Sequence, residues 1–295
     1  MTVVGITGVT GHIGGAVARL LAADARVDGS AQSLRLIVRD AARVPDLLAG
    51  RSDASVPPPD ISVGVTEYRD EHAGRRALEG VDVLFMVSAA ESPDRVAEHV
   101  QFIQSAVDVG VSHVVYTSFV GAGPHAAFTL ARDHGDTEEV LRSSGLDYTF
   151  LRDNFYLDLL PQWADENGVI RGPAGEGRIA AVARADVADV AAVVLRDPAA
   201  HRNAAYALTG GEAVSFADVA RRTSAATGRN VTFLDETVEE AYASRAHFGA
   251  PAFMVDAWVS TYTGIRDGEL EALSPDVQRL TGHAPRTLED VLAGR

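Results

Sequence analysis

Short apolar runs rich in β-branched residues alternate, in the first half of the chain, with longer segments whose apolar residues recur every three or four positions. The short runs predict β-strands, and the longer segments predict amphipathic α-helices. Repeated strand–helix–strand units need right-handed crossover connections, which build a mainly parallel sheet covered by helices on both faces. The predicted strands cover residues 3–7, 34–38, 61–65, 81–88, 113–118 and 148–151.

The helix pattern is clearest after the fourth predicted strand, in the segment "SPDRVAEHVQFIQSAVDVG". Ser92 suits an N-cap, Pro93 suits the first helical position, and Gly110 predicts the end of the helix. One apolar stripe along the segment is formed by Val96, Val100, Ile103 and Val107.

The strand–helix alternation loosens after about residue 153, and helices dominate the remaining sequence. The segment "SFADVARRTSAATG" predicts a helix with a capping box of Ser215 and Asp218 and an end at Gly228, and "TVEEAYASRAHFG" predicts another helix. We therefore predict a dinucleotide-binding domain over residues 1–153 and a smaller substrate-side domain over 154–295. A strand and helix around 178–198 are expected to rejoin the first domain.

The charge of the chain narrows the choice of partners. The sequence holds 41 acidic and 26 basic residues, a formal net charge of −15, and all 26 basic residues are arginine. A field of this sign repels phosphodiester backbones, and no run of arginines is longer than a pair. We expect no nucleic-acid partner.

Cysteine is absent, which excludes disulfides, thiolate nucleophiles and cysteine-ligated metals. The nine histidines lack close ligand spacing, so no metal site is expected. The first residues lack the basic and apolar regions of a signal peptide, and the longest apolar runs are too short to cross a bilayer. These features predict a soluble cytoplasmic protein without a membrane partner, either a monomer or a homodimer.

Three glycines in "GITGVTGHIGGAV" stand three residues apart between an apolar strand and a helix: Gly8, Gly11 and Gly14. In a dinucleotide-binding turn the first permits a tight turn, the second lets backbone N–H groups approach a pyrophosphate, and the third lets helix and strand pack closely. The N-terminus of the helix then points its positive end at the phosphates. The alternative is a strand-to-helix turn that needs glycine only for its own backbone.

The second predicted strand ends at Arg39, within "IVRDAAR". The residue at this position of a dinucleotide-binding fold meets the adenosine ribose. An arginine there pairs with the 2′-phosphate of NADP(H), whereas an acidic residue hydrogen-bonds the free hydroxyl of NAD. Arg39 therefore favours NADP(H) over NAD, although Asp40 follows it directly, and the alternative for Arg39 is an ordinary solvated charge.

Five segments follow one another along nearly the whole chain: "TGVTGHIG", "LEGVDVLFMVSAAE", "VVYTSF", "EEVLRSSGLDYTFLRDNFYLD" and "LTGHAPRTLEDVL". Together they resemble the NmrA-like atypical short-chain dehydrogenase/reductases, and within that family the bacterial branch of NAD(P)H:quinone oxidoreductases and triphenylmethane reductases. The resemblance implies an α/β fold with a Rossmann-type, doubly wound parallel sheet and a smaller, mainly helical C-terminal substrate subdomain, with a substrate cleft between them.

The resemblance also implies which residues bind the cofactor. The pyrophosphate turn consists of Gly8, Thr10, Gly11, His12, Ile13 and Gly14. The ribose and nicotinamide side is lined, at the carboxyl ends of two strands, by Ser88, Ala89, Ala90, Thr117 and Ser118. For the three hydroxyl residues the alternative is capping of the following helices, which does not exclude contact with a ligand.

The chain departs from the typical short-chain dehydrogenases, which use a Tyr-x-x-x-Lys pair as proton donor and ribose ligand. It has no lysine, so that mechanism is excluded. Many NmrA-like proteins carry a lysine in the helix after the fifth strand, and in "FTLARDHGDTEEVL" His134 or Arg132 occupies the corresponding place. Either is a candidate for ribose or nicotinamide contact, and the alternative for the histidine is a solvated surface residue.

The segment "RDNFYLDLLPQW" stands where this family places its substrate-side residues. Asn154, Phe155 and Tyr156 are therefore candidates for orienting an acceptor, with packing as the alternative for the aromatic residues. Asp153 stands where relatives of the quinone reductase branch often have a neutral amide. The aromatic residues Phe248, Phe253 and Trp258 are candidates either for covering the cleft or for the core.

These residues predict an NADPH-dependent oxidoreductase that transfers hydride to a quinone or a similar small electrophile, without flavin. Such acceptors are already electrophilic, so positioning matters more than a tuned proton donor. Two alternatives remain open. One is a biosynthetic reductase of an imine, enone or ketone, and the other is a redox sensor that binds NADP(H) and signals without turnover.

Overall fold

A computed structural model describes residues 2–24, 32–44 and 60–294 of the chain. The described strands are β1 (Thr2–Ile6), β2 (Gln32–Val38), β3 (Ile61–Val65), β4 (Val83–Met86), β5 (His113–Phe119), β6 (Asp147–Asp153), β7 (Val169–Gly172), β8 (Arg178–Ile179), β9 (Ala204–Leu208), β10 (Val214–Ser215) and β11 (Thr232–Asp235). All six predicted strands are present. The fourth is shorter than predicted and ends at Met86, two residues before Ser88.

The described α-helices are α1 (His12–Asp24), α2 (Glu71–Leu78), α3 (Arg95–Asp108), α4 (Thr129–Ser143), α5 (Arg184–Arg196), α6 (Phe216–Thr227), α7 (Val238–Arg245), α8 (Ala252–Arg266), α9 (Asp276–Thr281) and α10 (Leu288–Leu292). Short 3₁₀ helices cover Ala41–Arg43, Leu160–Trp163, Pro198–His201 and Ala246–Phe248. Among the described residues, no helix is long and apolar enough to span a bilayer.

Seven strands form one sheet in the order β3-β2-β1-β4-β5-β6-β9. The pairs β3/β2, β2/β1, β1/β4 and β4/β5 are parallel, and Val4 of β1 lies between Leu34 of β2 and Val83 of β4. The chain runs outward in one direction from β1 to β3 and then in the other direction from β4. In doubly wound sheets this reversal is the point beside which ligands bind.

The central strands are buried along their whole length. Every residue of β4 and of β5 is buried, as expected for parallel strands covered on both faces. The core around them includes Phe85, Phe102, Tyr116 and Phe150, all of which are fully buried. These results confirm the predicted α/β fold with a Rossmann-type parallel sheet and flanking helices.

The chain divides into two compact units. The first consists of Met1–Ser118, Thr137–Leu151 and Val187–Tyr206, and the second consists of Phe119–Asp136, Arg152–Asp186 and Ala207–Arg295. The second unit contains two small sheets, an antiparallel pair β8/β10 and a parallel pair β7/β11, besides the helices α6 to α10. The predicted domain boundary at residue 153, with a return of residues 178–198, stays a prediction.

Two predicted helix starts have different outcomes. The capping box of α6 is confirmed: Ser215 Oγ accepts from the Asp218 N–H at 3.1 Å, and Gly228 ends the helix in the left-handed conformation. The predicted start of α3, with Ser92 as N-cap and Pro93 in the first helical position, is wrong, because Asp94 is the N-cap and the helix begins at Arg95. The carbonyl of Ser92 accepts the Arg95 N–H at 3.3 Å in a turn that precedes the helix, so the Ser92 hydroxyl is not used as a cap.

The capping box leads to a stability prediction. Ser215→Ala removes the acceptor for a helix N-terminal N–H and is expected to lower the free energy of unfolding by about 1 kcal/mol. Ser215→Thr keeps the hydroxyl and is expected to stay within about 0.5 kcal/mol of the unchanged protein. Urea denaturation followed by circular dichroism measures both, and equal losses in the two variants would contradict the assigned capping role.

Candidate dinucleotide-binding site

The turn between β1 and α1 has the geometry that its glycines predict. Gly8 adopts a positive φ of 65°, and its carbonyl accepts the Gly11 N–H at 2.8 Å. A Cβ atom at Gly14 would lie 2.5 Å from the carbonyl oxygens of both Thr7 and Gly8, so only glycine lets α1 begin this close to the end of β1. Gly8 serves the turn and Gly14 serves helix–strand packing.

The remaining turn residues divide into an exposed and a buried set. Thr10, Gly11 and His12 are exposed, together with Gly8, so this backbone is accessible to a ligand at the start of α1. Ile13 is 8% exposed and its side chain belongs to the core. A contact of Ile13 with a cofactor is therefore restricted to its backbone.

A cavity of about 390 Å³ lies in the first unit, beside the carboxyl ends of β1, β2, β3 and β4. Six of the predicted cofactor residues line it: Gly8, Thr10, Arg39, Ser88, Ala89 and Ala90. The other lining residues are Thr7, Ile37, Val38, Thr66, Glu67, Tyr68, Arg69, Val87, Ser92 and Glu98. The predicted turn, the predicted strand end and the predicted loop after β4 thus come together around one space.

Arg39 and Asp40 separate at the end of β2. Arg39 lines the cavity, whereas the carboxylate of Asp40 accepts the Ala42 N–H at 2.9 Å and caps the 3₁₀ helix that follows. The sequence leaves open whether the arginine or the acidic residue at this strand end meets the cofactor. In the structure the Asp40 side chain caps the local turn, and Arg39 is the charged residue from this strand end that lines the cavity.

Sequence reasoning missed seven polar residues of the cavity lining: Thr7, Thr66, Glu67, Tyr68, Arg69, Ser92 and Glu98. Glu67 and Arg69 follow β3 and form an exposed ion pair of 2.8 Å between Arg69 Nε and Glu67 Oε2. The Ser92 hydroxyl is buried and has no hydrogen-bond partner among the described residues. The register of β2 and β3, which pairs Val38 with Val65, brings the segment after β3 next to Arg39. The sequence contained a signal for residues 66–69, because they directly follow the third predicted strand, and ligands bind at the carboxyl ends of parallel strands.

Side-chain hydrogen bonds fix the position of residues 87–90, the loop after β4. This loop, called the β4 loop below, forms one wall of the cavity. The Val87 N–H donates to Thr7 Oγ1 at 2.8 Å, and the Val87 carbonyl accepts from the Tyr68 hydroxyl at 2.6 Å. The Ser88 N–H donates to Thr117 Oγ1 at 2.8 Å. Thr117 supports Ser88 through this hydrogen bond, and its predicted contact with the cofactor stays a prediction.

Two side chains of α3 hydrogen-bond to the backbone of Ala89 in this β4 loop. Its N–H donates to His99 Nε2 at 2.9 Å, and its carbonyl accepts from Arg95 Nε at 3.0 Å. His99 is fully buried and its Nδ1 lies 2.8 Å from Thr137 Oγ1. Burial, reinforced by the charge of Arg95, lowers the pKa of His99 to about 3, so the ring is neutral at physiological pH.

The Ser118 side chain is also hydrogen-bonded to another buried residue of the protein. Its hydroxyl donates to Glu138 at 2.6 Å, and Glu138 is 1% exposed and paired with Arg142 on α4 at 2.7 Å. The alternative of helix capping is wrong for the hydroxyl residues after β4 and β5. The N-cap of α3 is Asp94, and α4 begins at Thr129, ten residues beyond Ser118.

His134 belongs to the second unit and lies on α4. It is 7% exposed and its ring stacks on Phe119, with centroids 6.1 Å apart, so the alternative of a solvated histidine is wrong. Arg132, the other candidate for the place of the lysine, is exposed and donates to the Ala126 carbonyl at 2.9 Å. The roles of both residues toward a cofactor stay predictions.

The acceptor-side candidates occupy the segment directly after β6, in the second unit. Asn154 is 2% exposed, and its amide donates to the Leu270 carbonyl at 3.0 Å while its oxygen accepts the Phe155 N–H. Phe155 packs edge-on against Phe119. The side chain of Asn154 therefore holds backbone, and Phe155 packs within the second unit. The roles of both residues toward an acceptor stay predictions.

Tyr156 is the remaining candidate of this segment and is half-buried. Its hydroxyl donates to Asp153 Oδ2 at 3.0 Å, and the guanidinium of Arg184 lies over its ring at 5.3 Å. Asp153 is 2% exposed, and its other oxygen has no partner among the described residues. Burial raises the pKa of Asp153 well above its usual value, only partly offset by the hydrogen bond from Tyr156. Burial thus favours the protonated, neutral form of this carboxyl, which is closer to the amide that the resemblance implies at this position.

The C-terminal aromatic candidates are not core residues as a group. Phe248 is 63% exposed and meets Trp258 edge-on, with centroids 5.8 Å apart. Phe253 and Trp258 are half-buried. The core alternative is therefore wrong for Phe248, and a covering role stays a prediction.

The glycine turn, the cavity at the sheet reversal and the arginine at the end of β2 define a dinucleotide-binding α/β protein. The NAD(P)H-binding family model matches residues 8–198, and the chain belongs to this family. It is 31% identical over 288 residues to the NAD(P)H azoreductase of Xenophilus azovorans, covering 97% of this chain and 95% of the azoreductase. It is also 31% identical over 290 residues to quinone oxidoreductase 2 of Escherichia coli (strain K12), covering 97% and 96% of the two chains.

Solved structures give the same result. The crystal structure of the Escherichia coli NADPH-dependent quinone oxidoreductase complexed with NADPH superposes with a TM-score of 0.84 at 31% identity and covers 99% of both chains. The Citrobacter sp. triphenylmethane reductase complexed with NADP(H) has a TM-score of 0.80 at 27% identity and covers 100% of both chains. The predicted resemblance to NmrA-like proteins of this branch is confirmed, and the chain is an NAD(P)H-binding oxidoreductase relative.

The buried carboxyl of Asp153 leads to a prediction about stability and pH. Because its pKa in the folded protein is raised above the unfolded value, its contribution to stability is present below about pH 4 and is lost as pH rises toward the folded pKa. Asp153→Asn keeps the shape and the acceptor for Tyr156 without this loss. The free energy of unfolding of the variant, relative to the unchanged protein, is expected to rise by more than about 1 kcal/mol between pH 5 and pH 8.

Urea denaturation at a series of pH values measures this difference, and Tyr156→Phe is the control, since it removes the hydrogen bond but leaves the carboxyl. A stability difference between Asp153→Asn and the unchanged protein that stays constant over the whole pH range would contradict the raised pKa of Asp153.

Proposed function

We propose that this protein is an NADPH-dependent oxidoreductase that reduces a quinone or a similar small electrophilic acceptor. The observation that carries the cofactor choice is the separation of Arg39 from Asp40. Arg39 lines the cavity, and the Asp40 carboxylate is occupied by the Ala42 N–H. A guanidinium matches a phosphate with charge-assisted hydrogen bonds, whereas NAD offers only a neutral ribose hydroxyl at this position.

The residues of the cavity fit a dinucleotide along its length. The positive φ of Gly8 and the exposed backbone at Thr10, Gly11 and His12 suit a pyrophosphate at the N-terminus of α1. Arg39 suits a 2′-phosphate at the end of β2, and the β4 loop suits the ribose and nicotinamide side on the other flank of β1. When bound, NADPH supplies the hydride.

The absence of lysine directs the choice of acceptor. The sequence has no lysine and therefore lacks the typical Tyr-Lys proton donor. A substrate whose reduction produces a strongly basic alkoxide would lack the group that protonates it. A quinone takes up one hydride and one proton to give a hydroquinone, whose oxygen is much less basic, and its reduction depends mainly on positioning. The similarity to a quinone oxidoreductase and an azoreductase supports this class of acceptor.

We further propose Asn154, Tyr156 and His134 as residues that serve the acceptor. Tyr156 is half-buried, and its hydroxyl donates to Asp153, whose pKa is raised by burial. Asn154 acts through the backbone that it holds, because both polar ends of its side chain are hydrogen-bonded. His134 is buried against Phe119, and either it or Arg132 occupies the place where the resemblance implies a lysine. The cytoplasm remains the predicted location of the protein.

Turnover is the direct test of this function. Purified protein is expected to consume NADPH in the presence of benzoquinone or naphthoquinone faster than the uncatalysed rate, and faster than it consumes NADH, as measured by absorbance at about 340 nm. The same assay with an enone and an azo dye compares the other electrophile classes. Tight NADPH binding without turnover on any acceptor would contradict the proposed activity and favour a redox sensor.

The cofactor assignment has its own test. Arg39→Ala is expected to weaken NADPH binding by about 10- to 100-fold, the effect of losing a charge-assisted contact, and NADH binding by less than about threefold. Calorimetric titration measures both affinities. The matched control is Arg76→Ala, which removes an exposed arginine of α2 that does not line the cavity and is expected to change neither affinity. Equal losses for NADPH and NADH in Arg39→Ala would exclude the role of Arg39 as 2′-phosphate ligand.

A further inference from the structure

His99 stands behind the wall of the cavity rather than in it. It lies on α3, is fully buried, and does not line the cavity, yet it contacts the backbone of Ala89, which does. Both ring nitrogens are engaged, one by the Ala89 N–H at 2.9 Å and the other by Thr137 Oγ1 at 2.8 Å. An imidazole in the core with both nitrogens hydrogen-bonded has a fixed orientation, and it restricts the motion of the groups bonded to it.

The hydrogen-bond partners determine the tautomer of the ring. A backbone N–H only donates, so His99 Nε2 accepts from Ala89 and carries no proton. The proton of the neutral ring is then on Nδ1, and it donates to the Thr137 hydroxyl. The Ala89 N–H therefore sets the tautomer, and the Thr137 hydroxyl accepts the Nδ1 proton and holds the ring in the orientation that presents Nε2 to Ala89, in the way that a second partner orients a histidine in metal and catalytic sites.

The surroundings keep this ring neutral and fixed. The rings of Tyr68 and Tyr116 pack edge-on against it, with centroids at 6.0 and 5.7 Å, and the nearby Arg95 disfavours a second positive charge. Arg95 also donates to the Ala89 carbonyl at 3.0 Å, which belongs to the next peptide along the chain. The two peptides that flank the Ala89 Cα are thus each held by one side chain, and these two side chains lie one helical turn apart on α3.

The two ends of the cavity are supported by different elements. Arg39 follows β2 and residues 66–69 follow β3, on one side of β1, and the β4 loop lies on the other side. His99 hydrogen-bonds to the β4 loop and contacts the ring of Tyr68, which itself donates to the Val87 carbonyl of that loop. Arg39 is not among the hydrogen-bond or ring partners of His99 in the described part of the chain, so a change at His99 is expected to act mainly on the half of a dinucleotide that lies at the β4 loop.

We propose that His99 is a positioning residue for the nicotinamide half of the cofactor, which acts by fixing the Ser88–Ala89 peptide through Nε2 while Thr137 holds the orientation of the ring. The inference rests on the proposed function in one respect, namely that NADPH occupies this cavity with its adenosine end at Arg39. It adds a residue pair, His99 and Thr137, that touches neither the cofactor nor the acceptor.

The test compares a whole cofactor with half of one. Adenosine 2′,5′-bisphosphate contains the adenosine end but lacks the nicotinamide, so its binding reports the Arg39 end alone. His99→Phe removes the acceptor for the Ala89 N–H, and is expected to weaken NADPH about tenfold or more while changing the bisphosphate less than about twofold. Arg39→Ala is expected to weaken both ligands to a similar extent.

Milder variants guard against misfolding of His99→Phe. Thr137→Val keeps the size of the side chain but removes the partner of Nδ1, and is expected to weaken NADPH about threefold to tenfold, again without an effect on the bisphosphate. Thr137→Ser restores the hydroxyl and is expected to restore NADPH affinity to within about twofold. Calorimetric titration gives the affinities, and a thermal melt of each variant establishes that it is folded.

The outcomes separate the inference from the function on which it rests. If folded Thr137→Val binds NADPH like the unchanged protein, or loses NADPH and bisphosphate affinity equally, the positioning role is wrong and the proposed function stands. If the unchanged protein binds neither NADPH nor the bisphosphate, the proposed function fails first. Loss of NADPH affinity alone, with rescue by Thr137→Ser, supports the assignment.

Discussion

The close approach of α1 to the end of β1 is the contact on which the site depends. At Gly14 a single methyl group would lie 2.5 Å from two backbone carbonyl oxygens, so the helix begins at this distance only because the side chain is absent. The same approach places the exposed backbone of residues 10–12 at the positive end of the helix and Gly8 against Val87 of the neighbouring β4 loop. The position of β4 beside β1 then places one wall of the cavity next to the turn.

Burial decides the charge state of the polar groups that matter most in each unit. His99 in the first unit and Asp153 in the second are both almost completely buried, and burial disfavours the charged form of each because a charge without compensation is costly in the interior. It lowers the pKa of His99 to about 3, so this ring is neutral and can accept a backbone N–H, and it raises the pKa of Asp153 well above its usual value. In each residue burial favours the uncharged form of the ionisable side chain.

The basic residues of this chain are all arginine, and this composition restricts both cofactor binding and proton transfer. Arginine keeps its charge under all physiological conditions and binds phosphate in a bidentate manner, so it suits Arg39 at the adenosine end. It cannot act as the tuned amine of a Tyr-Lys pair. This composition agrees with an acceptor that needs orientation and an apolar environment rather than a strong proton donor, and it separates the proposed activity from that of typical carbonyl reductases.

The sequence alone determined the strand order along the chain, the glycine turn, the arginine at the end of β2 and the family, because these depend on local periodicity and on motifs of a few residues. It did not reveal that Ser118 and Asn154 are used inside the fold, that burial raises the pKa of Asp153, or that His99 supports the cavity. Those properties depend on partners such as Leu270, which is 116 residues from Asn154 in sequence, and Thr137, which is 38 residues from His99. Only the tertiary structure brings such groups within hydrogen-bond distance and removes them from water, and both conditions are needed to fix a proton or a side-chain orientation.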